Sequence, residues 1–211
     1  MDKYQETFDT WNKLASLYQE KFMELPLYND SYDYFCQAVE KPRAKILEVG
    51  CGPGNITKYL LSKRPDFDLF GIDIAPNMIE LAQENNPSGR FAVMDSRDIH
   101  TLNSTFDGII SGFCLPYLSP DESNQLITTA YDLLEENGCL YLSFVEGSPS
   151  DSNFKTGVGG RVYFYYHNLA DLQNQLIKCQ FTAIEVFKVN YKTGEDTFEV
   201  HTILTAKKKV E

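Results

Sequence analysis

Three glycines alternate with other residues where an apolar segment ends and a helical pattern begins. Gly50, Gly52 and Gly54 follow the apolar run 44–49. Glycine permits a tight turn and lets a ligand approach the backbone closely, and the start of the helix beyond offers free N–H groups. Asp73, at the end of the next apolar segment, could accept hydrogen bonds from both hydroxyls of a ribose. Together these features predict a site for an adenosine-containing ligand.

The glycine spacing separates two classes of such ligands. Dinucleotide sites favour G-x-G-x-x-G, but Asn55 stands three residues after Gly52. The residues instead read E-x-G-x-G-x-G from Glu48 to Gly54. An acid beside the loop suits a ligand with ammonium and sulfonium centres better than one with phosphates. A nicotinamide-dependent oxidoreductase on a similar sheet remains the alternative.

A second group of candidate residues follows the segment 146–160, which is rich in Gly, Ser, Pro and Asn and is predicted to be a loop. Tyr166 and His167 come directly before the next helical pattern, and we predict them as catalytic residues because histidine has a pKa suited to a base near pH 7. The alternative is that His167 only opens that helix. His100 and His201 are weaker candidates, since neither stands beside a recognised motif.

Composition narrows the possible partners. The 211 residues carry a net charge of −11, and the only basic run is 207–209, so we expect no nucleic-acid partner. The five cysteines are scattered without a C-x-x-C pair, which predicts free thiols and no metal site. No segment has the length of a membrane helix or the pattern of a signal peptide. We therefore expect a cytoplasmic protein with no membrane partner.

The order of elements predicts an α/β fold. Residues 1–40 read as an N-terminal helical segment, with apolar positions at helical spacing over 8–22, and residues 41–211 as one compact domain. In the domain, strands alternate with crossover helices and the chain ends in two β-rich runs around a tight turn. Strands are predicted at 44–49, 68–72, 90–94, 106–111, 139–145, 182–191 and 197–206, and helices at 31–40, 53–63, 76–84, 120–135 and 168–178.

Five segments resemble, in order, the motifs of class I S-adenosylmethionine-dependent methyltransferases. The glycine loop ILEVGCGPG looks like their first motif. The resemblance implies a Rossmann-like, seven-stranded, mostly parallel sheet with an antiparallel C-terminal hairpin strand, helices on both faces and an N-terminal helical lid. The other matching segments are LFGIDIAPNMIELA (69–82), FAVMDSRDI (91–99), FDGIISGFCLPYLS (106–119) and ENGCLYLSF (136–144).

The resemblance also implies a set of residues that bind S-adenosylmethionine. Asp73 would hold the ribose, Met78 would pack on the adenine, and Asp95 would accept from the adenine amino group. Glu48 would order the glycine loop and the cofactor's ammonium group. The full set is Tyr18, Glu48, Gly50, Cys51, Gly52, Asp73, Ile74, Met78, Asp95, Ser96 and Phe113.

The segment that ends the fourth strand, GFCLPYL, lacks the signature of enzymes that methylate nucleic-acid bases. Together with the acidic charge, this favours a small-molecule acceptor, methylated by in-line displacement in a monomer or homodimer. A noncatalytic protein that binds S-adenosylmethionine is a further alternative.

Overall fold

The computed structural model describes residues 2–210. Its helices are α1 Lys3–Lys13, α2 Ala15–Phe22, α3 Asn29–Ala38, α4 Asn55–Lys63, α5 Pro76–Asn85, α6 Pro120–Leu133 and α7 Leu169–Lys178. Its strands are β1 Lys45–Val49, β2 Asp68–Asp73, β3 Arg90–Val93, β4 Phe106–Ser111, β5 Leu134–Val145, β6 Asn153–Gly157, β7 Gly160–Phe164, β8 Phe181–Lys192 and β9 Phe198–Lys208. Short 3-10 helices cover Pro26–Tyr28, Ser96–Thr101, Leu115–Tyr117 and Pro149–Asp151.

Seven strands form one sheet in the order β3-β2-β1-β4-β5-β9-β8. The pairs among β1 to β5 are parallel, whereas β9 runs antiparallel to both β5 and β8. Six strands therefore share one direction and one strand opposes them. This confirms the predicted fold class, including the antiparallel strand of the C-terminal hairpin. Among residues 2–210, no helix is long and apolar enough to cross a bilayer.

Two apolar layers cover the two faces of this sheet. Neighbouring residues of a strand point to opposite faces, so Leu47 packs with the α6 and α7 side chains while Ile46 packs with those of α3 and α4. Both strand residues are fully buried. The sheet is thus covered on both faces, and the loops at the carboxyl ends of its parallel strands remain available for a site.

The N-terminal helical segment is not one helix. The apolar spacing over 8–22 predicts a single helix, but the chain breaks at Leu14, whose amide bonds back to Thr10 and Trp11. The two halves contact different parts of the molecule. In α1, Thr10 donates to the carbonyl of Arg161 in β7, whereas Gln19 of α2 accepts a bond from Asn85 at the end of α5.

The prediction of a loop over 146–160 is wrong in part. Residues 153–157 form β6, which pairs antiparallel with β7 through a turn at Val158 and Gly159. Gly and Asn have low strand propensity, and most of the partner strand β7 lies beyond the predicted loop. The hairpin could therefore not be recognised from the local sequence. The side chain of Thr7 in α1 accepts a bond of 2.9 Å from the amide of Tyr163.

The boundaries of the five predicted helices differ from the observed ones by one or two residues, and two of these differences have a local cause. Helix α4 begins at Asn55 rather than at 53, because Gly54 adopts a left-handed conformation (φ 81°) that interrupts the helical path. Helix α6 ends at Leu133 rather than 135, since Leu134 already pairs with Phe106 of β4.

Candidate active site

A cavity lies where β1 to β4 end, beneath α1 and α2; we term it the first cavity. It collects side chains from five separate segments of the chain. Its lining residues are Tyr4, Thr7, Phe8, Trp11, Tyr18, Gly50, Gly52, Asp73, Ile74, Met78, Met94, Asp95, Ser96, Arg97, Gly112, Phe113, Cys114, Tyr117 and Leu118. Nine of the eleven residues expected to bind a cofactor are in this set. The other two do not line the cavity: Glu48 lies at the base of the loop, and Cys51 belongs to the loop but is buried.

The glycine loop is held in a shape that favours glycine. Gly50, Gly52 and Gly54 have φ values of 71°, 52° and 81°, in the left-handed region that other residues rarely adopt. The amides of Gly50 and Cys51 donate to the carbonyl of Ile72 at 2.8 and 2.9 Å. These bonds tie the loop to the end of β2 and bring it next to Asp73.

Asp73 joins the loop to the next helix. Its Oδ2 accepts from the amide of Gly52 and its Oδ1 from the amide of Ala75, both at 2.9 Å. Burial raises the pKa of this carboxyl, although the two backbone bonds oppose that shift. A carboxylate has about four lone-pair sites, so Asp73 can hold the loop and still accept two hydroxyl groups of a ligand.

Glu48 is fully buried at the base of the loop. Its Oε2 accepts from the hydroxyl of Thr57, while its Oε1 has no partner within the described chain. Burial raises the pKa of Glu48 to about 8. The side chain of Cys51, within the loop, is buried, and burial raises the pKa of its thiol well above the ordinary value. Glu48 therefore supplies a buried, half-satisfied acceptor, while Cys51 fills space.

The end of the first cavity away from the glycine loop has an apolar wall on one side and a charged pair on the other. Met78 is buried against Ala15 and Ala75 and forms an apolar wall with Ile74 nearby. Asp95 is engaged by the guanidinium of Arg97, which also contacts Glu122 at 3.3 Å. The sequence did not single out Arg97. It pairs with the carboxylate that we expect to meet an adenine amino group, so it would compete with a ligand for Asp95.

The structure does not bring the two predicted catalytic residues to the first cavity. His167 is buried, and its Nε2 lies 2.8 Å from the carbonyl oxygen of Leu115. Burial lowers the pKa of this imidazole. His167 instead borders a separate pocket beside α6 and α7, while Tyr166 donates to Glu199 at 3.2 Å. The placement agrees with the alternative in which His167 precedes the helix and packs there.

A second cavity adjoins the first and shares Trp11, Tyr18, Phe113 and Tyr117 with it. Its far wall contains His201 of β9, whose Nδ1 lies 2.7 Å from the hydroxyl of Tyr28. His201 is a weak candidate from the sequence, because its partner is 173 residues away along the chain and no local pattern marks the pair. Alternation along β9 was the one available signal, since it places His201 and Glu199 on the same face of the strand.

Phe113 lies between the two cavities. It has a positive φ of 55° without being glycine, and its amide donates to the Ser143 hydroxyl at 2.8 Å. Left-handed backbone at a bulky residue costs free energy and is concentrated at functional sites. Its ring lies 4.8 Å from the ring of His201, centroid to centroid. Phe113 therefore connects the first cavity with the Tyr28–His201 pair.

This arrangement defines a Rossmann-like α/β protein with an adenosine-type site at the ends of its parallel strands, and comparison with known proteins agrees. A family model described as a methyltransferase domain matches residues 46–138. A malonyl-[acyl-carrier protein] O-methyltransferase of Acetivibrio thermocellus is 45% identical over 73 residues, 34% of this chain and 25% of that enzyme. Residues 46–138 thus match a methyltransferase domain, and the chain is similar to methyltransferases in sequence and in fold.

Solved structures share the whole architecture. Magnesium protoporphyrin IX methyltransferase of Synechocystis PCC 6803, with bound S-adenosylmethionine, superposes with a TM-score of 0.72 at 17% identity and covers 99% of this chain and 98% of its own. The 1,6-didemethyltoxoflavin-N1-methyltransferase of Burkholderia thailandensis, with bound 1,6-didemethyltoxoflavin and S-adenosylhomocysteine, gives 0.71 at 19% identity, covering 100% and 92%. The chain spans 25 to 63% of the length of the first three curated relatives that it matches.

Proposed function

We propose that this protein binds S-adenosylmethionine in the first cavity and transfers its methyl group to a small molecule held in the second cavity. The observation that carries the proposal is the shared wall: Tyr18, Phe113 and Tyr117 line both cavities. A ligand at the glycine loop and a second ligand beyond Phe113 would therefore meet without any rearrangement of the sheet.

The residues of the first cavity fit the cofactor chemically. Asp73 would hold the ribose hydroxyls, and the backbone of Gly50 and Gly52 would contact the methionine portion. Met78 and Ile74 would pack against the adenine, and Asp95 and Ser96 would meet its polar edge. The unpartnered Oε1 of Glu48 supports a cationic ligand, because a positive charge above the loop would favour the ionised form of this buried acid.

The cofactor supplies an activated methyl group on a sulfonium, so the protein must mainly align the acceptor and exclude water. Helices α1 and α2 cover the first cavity, with Phe8, Trp11 and Tyr18 facing it. A small-molecule acceptor is supported by the net charge of −11, which disfavours nucleic acid. The toxoflavin-type ligand bound to the structural neighbour is also a small molecule.

Calorimetry with S-adenosylhomocysteine tests the cofactor assignment. We expect a single site with micromolar or tighter affinity and no binding of NADH under the same conditions. Tight binding of NADH without binding of S-adenosylhomocysteine would overturn the proposal in favour of a nicotinamide-dependent oxidoreductase. To test catalysis, the protein is mixed with methyl-labelled S-adenosylmethionine and a metabolite extract. Labelled product supports an enzyme, and its persistent absence supports the noncatalytic alternative.

The cellular setting belongs to the same proposal. We propose a cytoplasmic protein that acts as a monomer or homodimer, and its five free cysteines support a reducing compartment. Gel filtration with light scattering would measure the oligomeric state.

A further inference from the structure

The second cavity is rich in aromatic residues, which binding of a ligand at the glycine loop does not require. Of its nineteen lining residues, nine are Trp, Tyr or Phe, and only Lys21 and Glu199 carry a full charge. Aromatic side chains bury large planar surfaces and prefer offset-stacked or edge-to-face contacts with other rings. Such a lining suits a planar aromatic molecule rather than a flexible aliphatic or highly charged one.

A group of three polar side chains, Tyr28, His201 and Glu199, lies within this aromatic lining. The hydroxyl of Tyr28 lies 2.7 Å from Nδ1 of His201, and Nε2 on the opposite side of the imidazole lies 4.0 Å from Oε2 of Glu199. Glu199 also accepts a bond from Tyr166 at 3.2 Å, which restrains the carboxylate. All of Tyr28, His201 and Glu199 line the second cavity. A phenol hydroxyl, an imidazole and a carboxylate thus stand in a row at one wall of the second cavity.

The imidazole is held in one orientation. The ring of Tyr191 stacks on it with centroids 4.6 Å apart and an interplanar angle of 9°, and the Phe113 ring contacts it at 4.8 Å. The bond to Tyr28 occupies Nδ1, while Nε2 makes no hydrogen bond within the described chain. Burial lowers the pKa of His201 to about 4, so the ring is neutral near pH 7 and has a nitrogen lone pair available.

Resting on the proposed function, we infer that the second cavity binds a planar aromatic acceptor with a phenol-type hydroxyl and that Nε2 of His201 accepts the proton of that hydroxyl. The acceptor oxygen forms a bond to the methyl carbon as the bond from that carbon to sulfur breaks, and its electron pair stays on sulfur. The hydroxyl proton moves to Nε2 and leaves to solvent after product release. No further reactant is needed.

Each neighbour of His201 has a defined part in this step. In the proposed step Tyr28 is a positioning residue: it accepts from Nδ1–H in the imidazole tautomer that leaves Nε2 unprotonated. The carboxylate of Glu199 stabilises the imidazolium that forms, since an opposite charge at 4.0 Å favours the protonated ring. Phe113 sets the distance from the glycine-loop site to the imidazole. A phenol is the suitable acceptor, because a buried, weakly basic imidazole takes a proton more readily from an acidic hydroxyl than from an aliphatic one.

The test uses the full chain loaded with S-adenosylhomocysteine for binding and with methyl-labelled S-adenosylmethionine for turnover. The probe is 2-naphthol, and its saturated analogue 2-decalol has the hydroxyl without the planar ring. We expect the loaded protein to bind 2-naphthol and to methylate it, with 2-decalol methylated at least tenfold more slowly. Failure to bind 2-naphthol, or equal transfer to 2-decalol, would overturn the acceptor class.

Variants then test the base. His201→Gln should bind 2-naphthol within about threefold of the wild type and lose transfer by about a hundredfold, the usual contribution of a general base. Tyr28→Phe should reduce turnover while leaving the affinity for 2-naphthol unchanged, which a merely structural residue would not do. His100→Gln is the matched control, since His100 is exposed and lines neither cavity.

These experiments distinguish failure of the inference about His201 from failure of the proposed cofactor site. Affinity for S-adenosylhomocysteine is measured in each variant, together with the thermal midpoint, which detects misfolding. If the wild type binds S-adenosylhomocysteine and His201→Gln transfers at the wild-type rate, His201 is not the base although the cofactor site stands. If S-adenosylhomocysteine fails to bind at all, the proposed function fails, and the inference fails with it.

Discussion

The amide of Gly52 donates a hydrogen bond of 2.9 Å to Oδ2 of Asp73, and this bond ties the glycine loop to the end of the neighbouring strand. The same carboxylate accepts from the amide of Ala75 and so also caps the turn into α5. One side chain therefore orders both sides of the first cavity. Its loss affects the shape of the site as well as any ligand contact.

Replacement of Asp73 by Asn is expected to weaken binding of S-adenosylhomocysteine by ten- to a hundredfold, because hydrogen bonds to a charged group contribute about 1.5–3 kcal/mol each. Calorimetry would measure the change. Asp68→Asn is the matched control on the same strand, since Asp68 is exposed at the opposite end and pairs with Arg90. Equal affinity in Asp73→Asn and the wild type would remove Asp73 from the ribose site.

The conformation of Gly52 leads to a second prediction. Its φ of 52° is left-handed, and a Cβ there would lie 3.6 Å from the ring of Tyr18, so space exists but the backbone is strained for alanine. Gly52→Ala should lower the free energy of unfolding by about 1–2 kcal/mol. Gly157→Ala is the control, because a Cβ at Gly157 meets nothing within 4 Å. Thermal melting of both variants against the wild type decides the question.

The sequence predicted the sheet because its signals are local. Apolar strand segments, helix starts at Pro76 and Pro120 and a tight turn before β9 each depend on adjacent residues, and the parallel order follows from the crossover rule. The elements that were wrong depend on distant partners. The break at Leu14 and the β6–β7 hairpin follow from packing between α1 and β7, more than 140 residues apart in the chain.

The two cavities also differ in whether their residues can be recognised from local sequence or only from distant contacts. The residues of the first cavity stand in recognisable motifs, so Gly50, Gly52 and Asp73 could be predicted as ligand-binding residues from their types and spacing. His201 becomes a candidate only when β9 returns beside β5 and places the imidazole against Tyr28. His167 is the opposite case: its type and position suggested a base, but its ring bonds to the carbonyl of Leu115 and lines neither cavity.

The buried Glu48 predicts a dependence of stability on pH. Burial raises its pKa to about 8, above the value of 4.5 in the unfolded chain, so the folded state holds the proton more tightly. The unfolded chain therefore binds fewer protons between these values, and the contribution of Glu48 to stability falls as the pH rises from about 4.5 to 8. Glu48→Gln removes this titration. We therefore expect the thermal midpoint of Glu48→Gln to rise relative to that of the wild type as the pH increases from about 4.5 to 8.

The control for Glu48→Gln is Glu185→Gln, an exposed carboxylate on β8 whose midpoint should follow the wild type at every pH. A constant difference between Glu48→Gln and the wild type from pH 5 to 8.5 would contradict a raised pKa. It would instead mean that Glu48 is ionised throughout the range.

The contact between α1 and the β6–β7 hairpin holds α1 over the first cavity, so we expect its loss to loosen this helix. The buried hydroxyl of Thr7 accepts from the amide of Tyr163 at 2.9 Å and donates to the carbonyl of Lys3 at 2.7 Å. Thr7→Val keeps the shape but leaves the Tyr163 amide without its partner, which costs about 1–3 kcal/mol. We expect faster hydrogen exchange at Tyr163 and along α1, with little change in the central strands β1 and β4.

Because α1 contributes Tyr4, Phe8 and Trp11 to the first cavity, the same variant reports on ligand release. If α1 acts as a lid, Thr7→Val should raise the dissociation rate of S-adenosylhomocysteine several-fold in stopped-flow measurements. Thr182→Val, at an exposed position on β8, is the matched control and should leave that rate unchanged. An unchanged rate in Thr7→Val despite faster exchange along α1 would show that the ligand leaves by another route. Helix α1 would then be a packing element rather than a lid.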